Sequence, residues 1–568
     1  MAKIFTAWPD EWPRSLNYPE QPVFSILDRT ASRVPERLAL LFGGMELTFG
    51  ELKTLADRFA AALISTGIQK GDKVAIHLPN CPQFAIAYYG ALKAGAVFTP
   101  LSPLLAPREI VYQLNDAEAR MLISLDLVYP GIAEIIPETG VEHVITTSIA
   151  DCYSPVIQPL KPLEKIPVPD TLDMVDMLKD NEPDAPEIEI DVFKDLAHLA
   201  YTGGTTGLSK GVMLTHYNVV ANTCQYGHWF NGARLEIRDG VPQSVLPPGV
   251  DPVKDRPSAT DTETALVVVP WFHAMGTVGY LNNLVYGGTT MVVFPRFDPQ
   301  EYLQGVRKYK ATVLGGAPQL FIPLVNLPEF DSQDLAGIKI VSSGAAPLAM
   351  PILEKMLNSF SGTVCEAYGM TECTMGATAN PPNRNAIRQG SVGLPVFDTE
   401  CKVVDLFSGE DLPPGEKGEI CIKGPQVMQG YWNKPEETDL VLKDGWLHSG
   451  DIGTMDEDGY FYITDRKKDM IIYKGYNVYP RELEEVLFTH PDVAQCAVIG
   501  KPAMEVGESP VAFVQLRTGA QADEKVLAEY VNSQVAAYKK VREIHFLEAI
   551  PVSAAGKVLK RELREMLK

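Results

Sequence analysis

Tyr201-Thr202-Gly203-Gly204-Thr205-Thr206-Gly207-Leu208-Ser209-Lys210-Gly211 packs four glycines, three threonines, a serine and a lysine into one loop. An apolar, strand-like run over 196–201 leads into it, and a segment with helical character over 218–229 follows. Glycines let backbone N–H groups turn toward an anion, hydroxyls add donors and the lysine adds charge, so the composition fits a polyphosphate. A Walker A loop requires Gly-Lys-Ser/Thr, whereas Lys210 follows Ser209 and precedes Gly211. A merely flexible glycine turn would not need this density of hydroxyls.

Outward from the loop, short apolar runs alternate with longer amphipathic ones. The patterning predicts strands over 73–77, 96–99 and 120–124 and helices over 82–94 and 108–115, and the rhythm returns between 265 and 368. Such alternation predicts an α/β fold: a large N-terminal domain of two doubly wound, mostly parallel sheets. From 391 to 442 the character changes to short β runs joined by Pro/Gly turns, a small β subdomain. After Thr464-Asp465-Arg466-Lys467-Lys468-Asp469 come a helix over 480–489, strands over 494–499 and 509–516, and a helix over 524–536. These form a smaller α+β C-terminal domain. The expected division is 1–465, with the β subdomain at about 391–465, and 466–568, hinged at 466–469. Two polar stretches break the rhythm: 161–189 reads as a connector and 233–263 as an exposed insertion.

Composition narrows the function classes. With 46% hydrophobic and 21% charged residues, the chain reads as globular, and 568 residues suffice for more than one core. A net charge of −22 argues against nucleic acid or an anionic membrane as partner, since both attract cations. Eight cysteines without a CxxC pair read as reduced thiols of a cytoplasmic protein. The first residues lack a secretory apolar core and no run approaches about 18 apolar residues, so no transmembrane segment is expected. Peripheral membrane contact and a homodimer stay open.

Three further segments could converge on the loop's phosphates. Val341-Ser342-Ser343-Gly344-Ala345-Ala346-Pro347 is a strand running into a small-residue turn, where a flat ring could lie against backbone. Tyr368-Gly369-Met370-Thr371-Glu372 supplies an aromatic face, a hydroxyl and a carboxylate, and a carboxylate beside polyphosphate commonly serves Mg²⁺. Gly445-Trp446-Leu447-His448-Ser449-Gly450-Asp451 sets an aspartate at a glycine turn, suited to two ribose hydroxyls. Read singly, Tyr368 is equally a core aromatic and Asp451 a turn cap.

In this order the segments resemble the adenylate-forming superfamily: acyl-CoA synthetases, firefly luciferase and peptide adenylation domains. The resemblance runs from Leu47-Thr48-Phe49-Gly50-Glu51-Leu52 to Pro551-Val552-Ser553-Ala554-Ala555-Gly556-Lys557. Asp465-Arg466-Lys467-Lys468-Asp469-Met470-Ile471 and Lys474-Gly475-Tyr476-Asn477-Val478-Tyr479-Pro480 look like fatty acyl-CoA synthetases in particular.

The resemblance implies a two-step reaction using ATP, Mg²⁺ and coenzyme A: a carboxylic acid becomes an acyl-adenylate, then a thioester. It implies that Thr202, Gly203, Gly204, Thr205, Thr206, Gly207 and Lys210 grip the β- and γ-phosphates, with Thr202 and Glu372 near Mg²⁺. Gly344, Ala345, Ala346 and Pro347 would flank adenine opposite Tyr368, with Glu366, Ala367, Gly369 and Met370 in the same nucleotide-binding set. Thr371 would lie beside the α-phosphate, and Asp451 and Arg466 would hold the ribose. Lys557, otherwise a surface lysine, would bridge carboxylate and nucleotide during adenylation, worth about 10²–10³-fold in rate. Lys468 would be the pivot about which the C-terminal domain turns, bringing Lys474 and Gly475 to the thiol arm of coenzyme A.

For the acid, Trp271-Phe272-His273-Ala274-Met275-Gly276 resembles the family segment entering the carboxylate site, with His273 at the junction of acyl and thiol channels. Tyr226, Trp229, Met275, Gly315, Gly316 and Ala317 are candidate wall residues, and their small size and lack of charge favour an apolar tail. An aryl or short branched acid, a carrier protein as acceptor in trans, and a nucleotide-binding protein without turnover are the competing readings.

Overall fold

A computed structural model describes residues 8, 12–152, 164–202, 209–231, 234–238, 241–245, 258–330, 335–345, 348, 350–360, 362–474, 476–503, 505–552 and 558–567. These residues fall in two compact units: 8–202, 209–400 and 423–447 in the first, 401–422 and 448–567 in the second. The fold class is the α/β architecture that the alternation predicts.

The first unit is built on two sheets whose inner strands are parallel, with antiparallel strands at both edges of one and at a single edge of the other. One runs, neighbour to neighbour, through Leu394–Pro395, Thr378–Ala379, Thr363–Tyr368, Ile340–Ser343, Val313–Gly316, Thr264–Val267, Thr290–Val293, Leu38–Phe42 and Met45–Thr48. The other runs through Gly430–Tyr431, Gly211–Thr215, Leu196–Tyr201, Val97–Pro100, Lys73–His77, Ala119–Leu125, His143–Thr147 and Leu172–Asp173. Parallel strands need crossover helices, and those helices cover the sheet faces, which is why the strands read as near-continuous apolar runs. The helix Phe49–Ser65 starts at a reciprocal cap: Thr48 Oγ1 accepts from Glu51 N–H and the Glu51 carboxylate accepts from Thr48 N–H. It packs on Pro82–Lys93, a helix buried on every side. Gly90 permits that approach, because a Cβ there would stand 2.8 Å from Phe59.

Both polar stretches carry more structure than expected. Within 161–189, Leu172–Asp173 adds an edge strand and Met174–Asp180 a helix, capped by Asp173 accepting from Val175 and Asp176 N–H. Within 233–263, Arg234–Arg238 and Val241–Val245 form an antiparallel hairpin. Ala259 and Glu263 are buried: Glu263 accepts from Ala259 N–H at 2.9 Å and pairs with Lys339 at 2.8 Å. At this end of the stretch the carboxylate is buried because the neighbouring Ala259 N–H and the distant Lys339 both satisfy it.

The second unit holds most of Glu400–Val404, Gly418–Lys423 and Trp446–Met455, and all of Phe461–Arg466, as antiparallel β structure. A five-stranded sheet follows, ordered Tyr476–Val478, Ile471–Tyr473, Gly507–Leu516 and Val493–Ala503, with Glu543–Phe546 parallel to 507–516. Helices Pro480–Phe488 and Glu524–Asn532 cover it around Leu483, Leu487, Leu527 and Val531. Cys81, Cys224, Cys365, Cys373, Cys401, Cys421 and Cys496 are buried and form no disulfide.

Candidate active site

The glycine-rich loop connects two antiparallel strands. Leu196–Tyr201 pairs with Gly211–Thr215, Tyr201 opposite Gly211, and the helix His216–Asn231 begins only afterwards. The strands on either side of the loop therefore pair with each other, unlike the strand–loop–helix of a Walker A motif. The base is closed from several sides. Thr202 N–H donates to the Lys210 carbonyl at 3.0 Å, and Lys210 N–H donates to Thr202 Oγ1 at 3.3 Å. The Ser209 hydroxyl donates to the Thr202 carbonyl, and the Tyr112 phenol donates to the Ser209 carbonyl at 2.8 Å. Gly203, Gly204, Thr205, Thr206 and Gly207 lie outside the described residues.

Residues from three separate segments, Lys210, Glu372, and Tyr431 with Glu437, meet beside this base. The Lys210 ammonium pairs with Glu437 and lies 4.7 Å from the centroid of the Tyr431 ring. The Tyr431 phenol donates to Glu372 Oε1 at 2.8 Å. Burial first, and then the Glu372 carboxylate, push the Tyr431 pKa far up, so the phenol stays a donor at neutral pH. Glu372 sits with Thr371 on the single 3₁₀ turn Thr371–Cys373. The Glu372 carbonyl accepts from Met428 N–H at 2.9 Å, and Thr374 Oγ1 donates to the Gln426 carbonyl at 2.7 Å. Just before the turn, after Tyr368, Gly369 must be glycine: a Cβ would lie 2.2 Å from the Met375 carbonyl oxygen. Sequence reasoning missed Tyr431 and Glu437. The only signal was an aromatic flanked by glycine and tryptophan in Gln429-Gly430-Tyr431-Trp432.

Hydroxyl and carboxylate oxygens suit Mg²⁺, a hard cation that keeps several waters and takes one or two protein carboxylates beside phosphate oxygens. Glu372 fits that role, since Oε2 makes no hydrogen bond among the described residues.

The small-residue turn follows Ile340–Ser343. Gly344 N–H donates to the Gly316 carbonyl at 3.2 Å, and Ala345 has φ +68°, a left-handed conformation costing a non-glycine residue about 1 kcal/mol. Glu366 is buried and accepts from Leu348 N–H at 3.1 Å, which holds the turn's far side. Ala367 and Tyr368 pair with Ala379 and Thr378, and Tyr368 is half-buried. Ala346 and Pro347 lie outside the described residues.

His273 is half-buried just before an eight-residue π-helix, Met275–Asn282, a rare form concentrated at functional sites. Gly276 is obligatory there, because a Cβ would meet the Pro270 carbonyl at 1.9 Å. The small wall residues do not leave open space. Tyr280 Oη stands 1.7 Å from where a Cβ of Gly315 would be, and Leu320 fills the corresponding place at Gly316; the candidate wall residue Tyr226 in turn packs on Gly376, which was not among the expected wall residues. Trp229 is a core residue, its Nε1 donating to the Asn380 carbonyl at 3.0 Å among Trp8, Trp12 and Phe397.

In the second unit, Asp451 and Arg466 face each other across the paired strands, Arg466 Nε 3.4 Å from Asp451 Oδ1. Gly450, at φ +72°, lies within the strand Trp446–Met455 and not at the expected turn, its N–H donating to Glu419. Burial pushes the Glu419 pKa up, but Lys467 and His448 outweigh it and hold the carboxyl below its usual range. Lys468 is exposed. Lys474 (φ +50°) and Gly475 connect the paired Tyr473 and Tyr476; Gly475 itself lies outside the described residues. Around them Tyr476, 59% exposed, stacks on Tyr538 at 4.9 Å, and Arg542 lies 5.2 Å over Tyr473. Lys557 lies outside the described residues; on either side of it Val552 and Val558 form a bridge and Leu559 N–H donates to the Pro551 carbonyl.

Residues 27–432 match the family model of the AMP-binding enzyme, and 482–557 that of the AMP-binding enzyme C-terminal domain. The chain belongs to the AMP-binding enzyme family. A long-chain-fatty-acid–CoA ligase of Bacillus subtilis is 39% identical, over 98% of this chain and 97% of the relative. Among solved structures, ATP-bound MatB from Rhodopseudomonas palustris superposes with a TM-score of 0.82 at 29% identity, covering 96% of this chain and 99% of that one. The anthranilate CoA ligase AuaEII in complex with anthranoyl-AMP does so with 0.82 at 25% identity, covering 98% of both.

Proposed function

We propose that the protein is an ATP-dependent, AMP-forming fatty acyl-CoA synthetase. A carboxylate oxygen of the acid attacks the α-phosphorus, the bond to the β-phosphate oxygen breaks, and pyrophosphate leaves. The thiol sulfur of coenzyme A then attacks the acyl carbon, the bond to the phosphate oxygen breaks, and AMP leaves with the thiol proton lost to solvent. The observation that carries this reading is the cluster at the loop base: a cation for phosphate, and a carboxylate fixed by a phenol with an oxygen left for a divalent ion. Whole-chain similarity to a fatty-acid ligase supports coenzyme A as acceptor and a long-chain acid as substrate.

Within this reading Thr202 and Lys210 bind phosphate, Glu372 with Thr202 serves Mg²⁺, and Thr371 and His273 face the reacting carboxylate. Gly344, Ala345, Tyr368 and their neighbours hold adenine, Asp451 and Arg466 the ribose. Lys557 acts in adenylation. The boundary of the mobile domain at 466, with its pivot at Lys468, belongs to the same proposal, as does a cytoplasmic location; among the described residues no helix is long and apolar enough to cross a membrane. The exposed aromatic and cationic face around Lys474, Tyr476 and Arg542 suits the nucleotide end of coenzyme A, where cations meet phosphate and rings stack.

A ring acid is the second reading. Tyr280 and Tyr226 occupy the space that glycines 315 and 376 leave, which shortens any tunnel there. The deciding assay follows AMP and thioester formation with acids from two to eighteen carbons, benzoate and cinnamate. A maximum at eight carbons or more is expected; a maximum on ring acids overturns the chain-length assignment. Lys557→Ala is expected to lose at least about 10²-fold in adenylation while converting supplied acyl-adenylate to thioester. Equal loss in both half-reactions would remove Lys557 from the first step alone.

A further inference from the structure

We propose that Tyr431 is a positioning residue that fixes the Glu372 carboxylate for the divalent cation of the bound nucleotide and holds Lys210 toward the phosphates. The inference rests on the adenylation reading above and deepens it.

Glu372 alone is a poor metal ligand, because a carboxylate on a rotatable stem must be immobilised when it coordinates. With the Tyr431 hydroxyl donating to Oε1 at 2.8 Å, one oxygen is occupied and the plane of the carboxylate is set. Oε2 is then the oxygen that would be offered to a divalent cation, a hard ion that takes carboxylate oxygens beside phosphate. A hydrogen bond to an ionised acceptor is among the stronger side-chain interactions, so the orientation is well held.

The phenol is itself fixed by backbone. Gly430–Tyr431 is a two-residue edge strand on Gly211–Thr215, Tyr431 opposite Val212. Tyr431 N–H donates to Thr438 Oγ1 at 2.9 Å, and Trp432 N–H to the Gly211 carbonyl at 2.8 Å. Gly430 allows the clamp, its φ of +148° being strained for a side chain that would also strike Thr438. Because the paired strand starts one residue after Lys210, the ring face lies against the Lys210 ammonium. One side chain thus touches both the metal-side carboxylate and the phosphate-side cation. The contact to Lys210 is a cation–π interaction, which steers the ammonium without competing for the anion as a carboxylate does.

Tyr431→Phe keeps the ring and the backbone pairing and removes only the hydroxyl. By titration calorimetry on the full chain, its affinity for MgATP is expected to fall about tenfold, while affinity for ATP in EDTA stays within twofold. In a Glu372→Gln background the same change should cost less than twofold, since the hydroxyl acts through the carboxylate. Tyr431→Ala should weaken both nucleotide forms, because Lys210 loses its ring. Unchanged MgATP affinity in Tyr431→Phe, equal weakening of both forms, or a full tenfold loss retained in Glu372→Gln would each overturn the proposal. Wild-type protein that binds neither nucleotide form would instead overturn the adenylation reading.

Discussion

Lys210 and Lys560 are both lysines held by carboxylates, and they are held in opposite ways. The Lys210 side chain is 34% exposed, its partner Glu437 40%, and an aromatic face completes its surroundings. The Lys560 side chain is 14% exposed and pairs at 2.9 Å with Glu484, 17% exposed, with Asp465 and Asp469 also within electrostatic reach. Arg564 on the same helix pairs with Asp469 at 2.8 Å. A cation meant for a phosphate must be surrendered by its resting partner, and a solvated ion pair worth roughly 0–1 kcal/mol surrenders it readily. A cation that ties Asp465 and Asp469 to the helix Lys560–Glu565 gains from burial, because removing it strands several carboxylates in low dielectric. Exposure therefore separates the exchangeable lysine from the structural one better than sequence neighbourhood does.

The largest expected effect tests that contrast with one substitution at both sites. Lys560→Met should destabilise the second unit by about 3 kcal/mol, because Glu484, Asp465 and Asp469 lose a shared counter-ion. Lys210→Met should leave stability within about 0.5 kcal/mol while weakening nucleotide binding. Scanning calorimetry with a parallel ATP titration reads both. Similar melting losses at the two positions would mean that exposure does not mark the difference.

A smaller effect is tied to pH. Burial raises the Asp465 pKa to about 6, against opposition from Lys560 and from the backbone N–H groups of Arg481 and Arg466. The folded protein thus holds this proton more tightly than the unfolded chain does. Between pH 4 and 6 the native state binds more protons, so this group's contribution to stability falls as pH rises through that window. Above pH 6 the ionised carboxylate is a fixed cost, about 1–3 kcal/mol for a shift of this size. Asp465→Asn should flatten the stability profile between pH 4 and 6 relative to wild type in urea titrations. Profiles that stay parallel would place the Asp465 pKa near its ordinary value and weaken the picture of a buried cluster.

The strands and helices of the first unit, Leu196–Tyr201 among them, were legible because they depend on local apolar periodicity; the five-residue antiparallel return Gly211–Thr215 was too short to announce itself. Tyr431 was not legible. It lies on a two-residue edge strand, too short to give periodicity; sheet pairing with Gly211–Thr215 brings it to Lys210, and a loop contact, Met428 N–H to the Glu372 carbonyl, brings it to Glu372. The acyl wall was half legible. Glycines at 315 and 316 announced close approach, but only the fold shows that Tyr280 and Leu320 do the approaching. Tryptophan at 229 looked like a wall residue because helical position alone does not say which neighbour a side chain meets; Trp8, Trp12 and Phe397 come from distant segments. The π-helix at Met275–Asn282 left no trace in the pattern, since its periodicity differs too little from an α-helix over eight residues.

The smallest expected effect sharpens the contrast most. If Glu437 is the resting partner that Lys210 gives up, Glu437→Gln removes a competitor for the ammonium and not a ligand for the nucleotide. The exposed pair should be worth no more than about 1 kcal/mol, so ATP affinity should rise two- to threefold and stability should not change. The gain should shrink as ionic strength rises, because salt screens the pair that wild type must break. Weaker ATP binding by Glu437→Gln would instead give the carboxylate a direct part in holding the nucleotide. Lys210 would then resemble Lys560: a cation whose acidic partner is required, held in a network that ligand binding leaves intact.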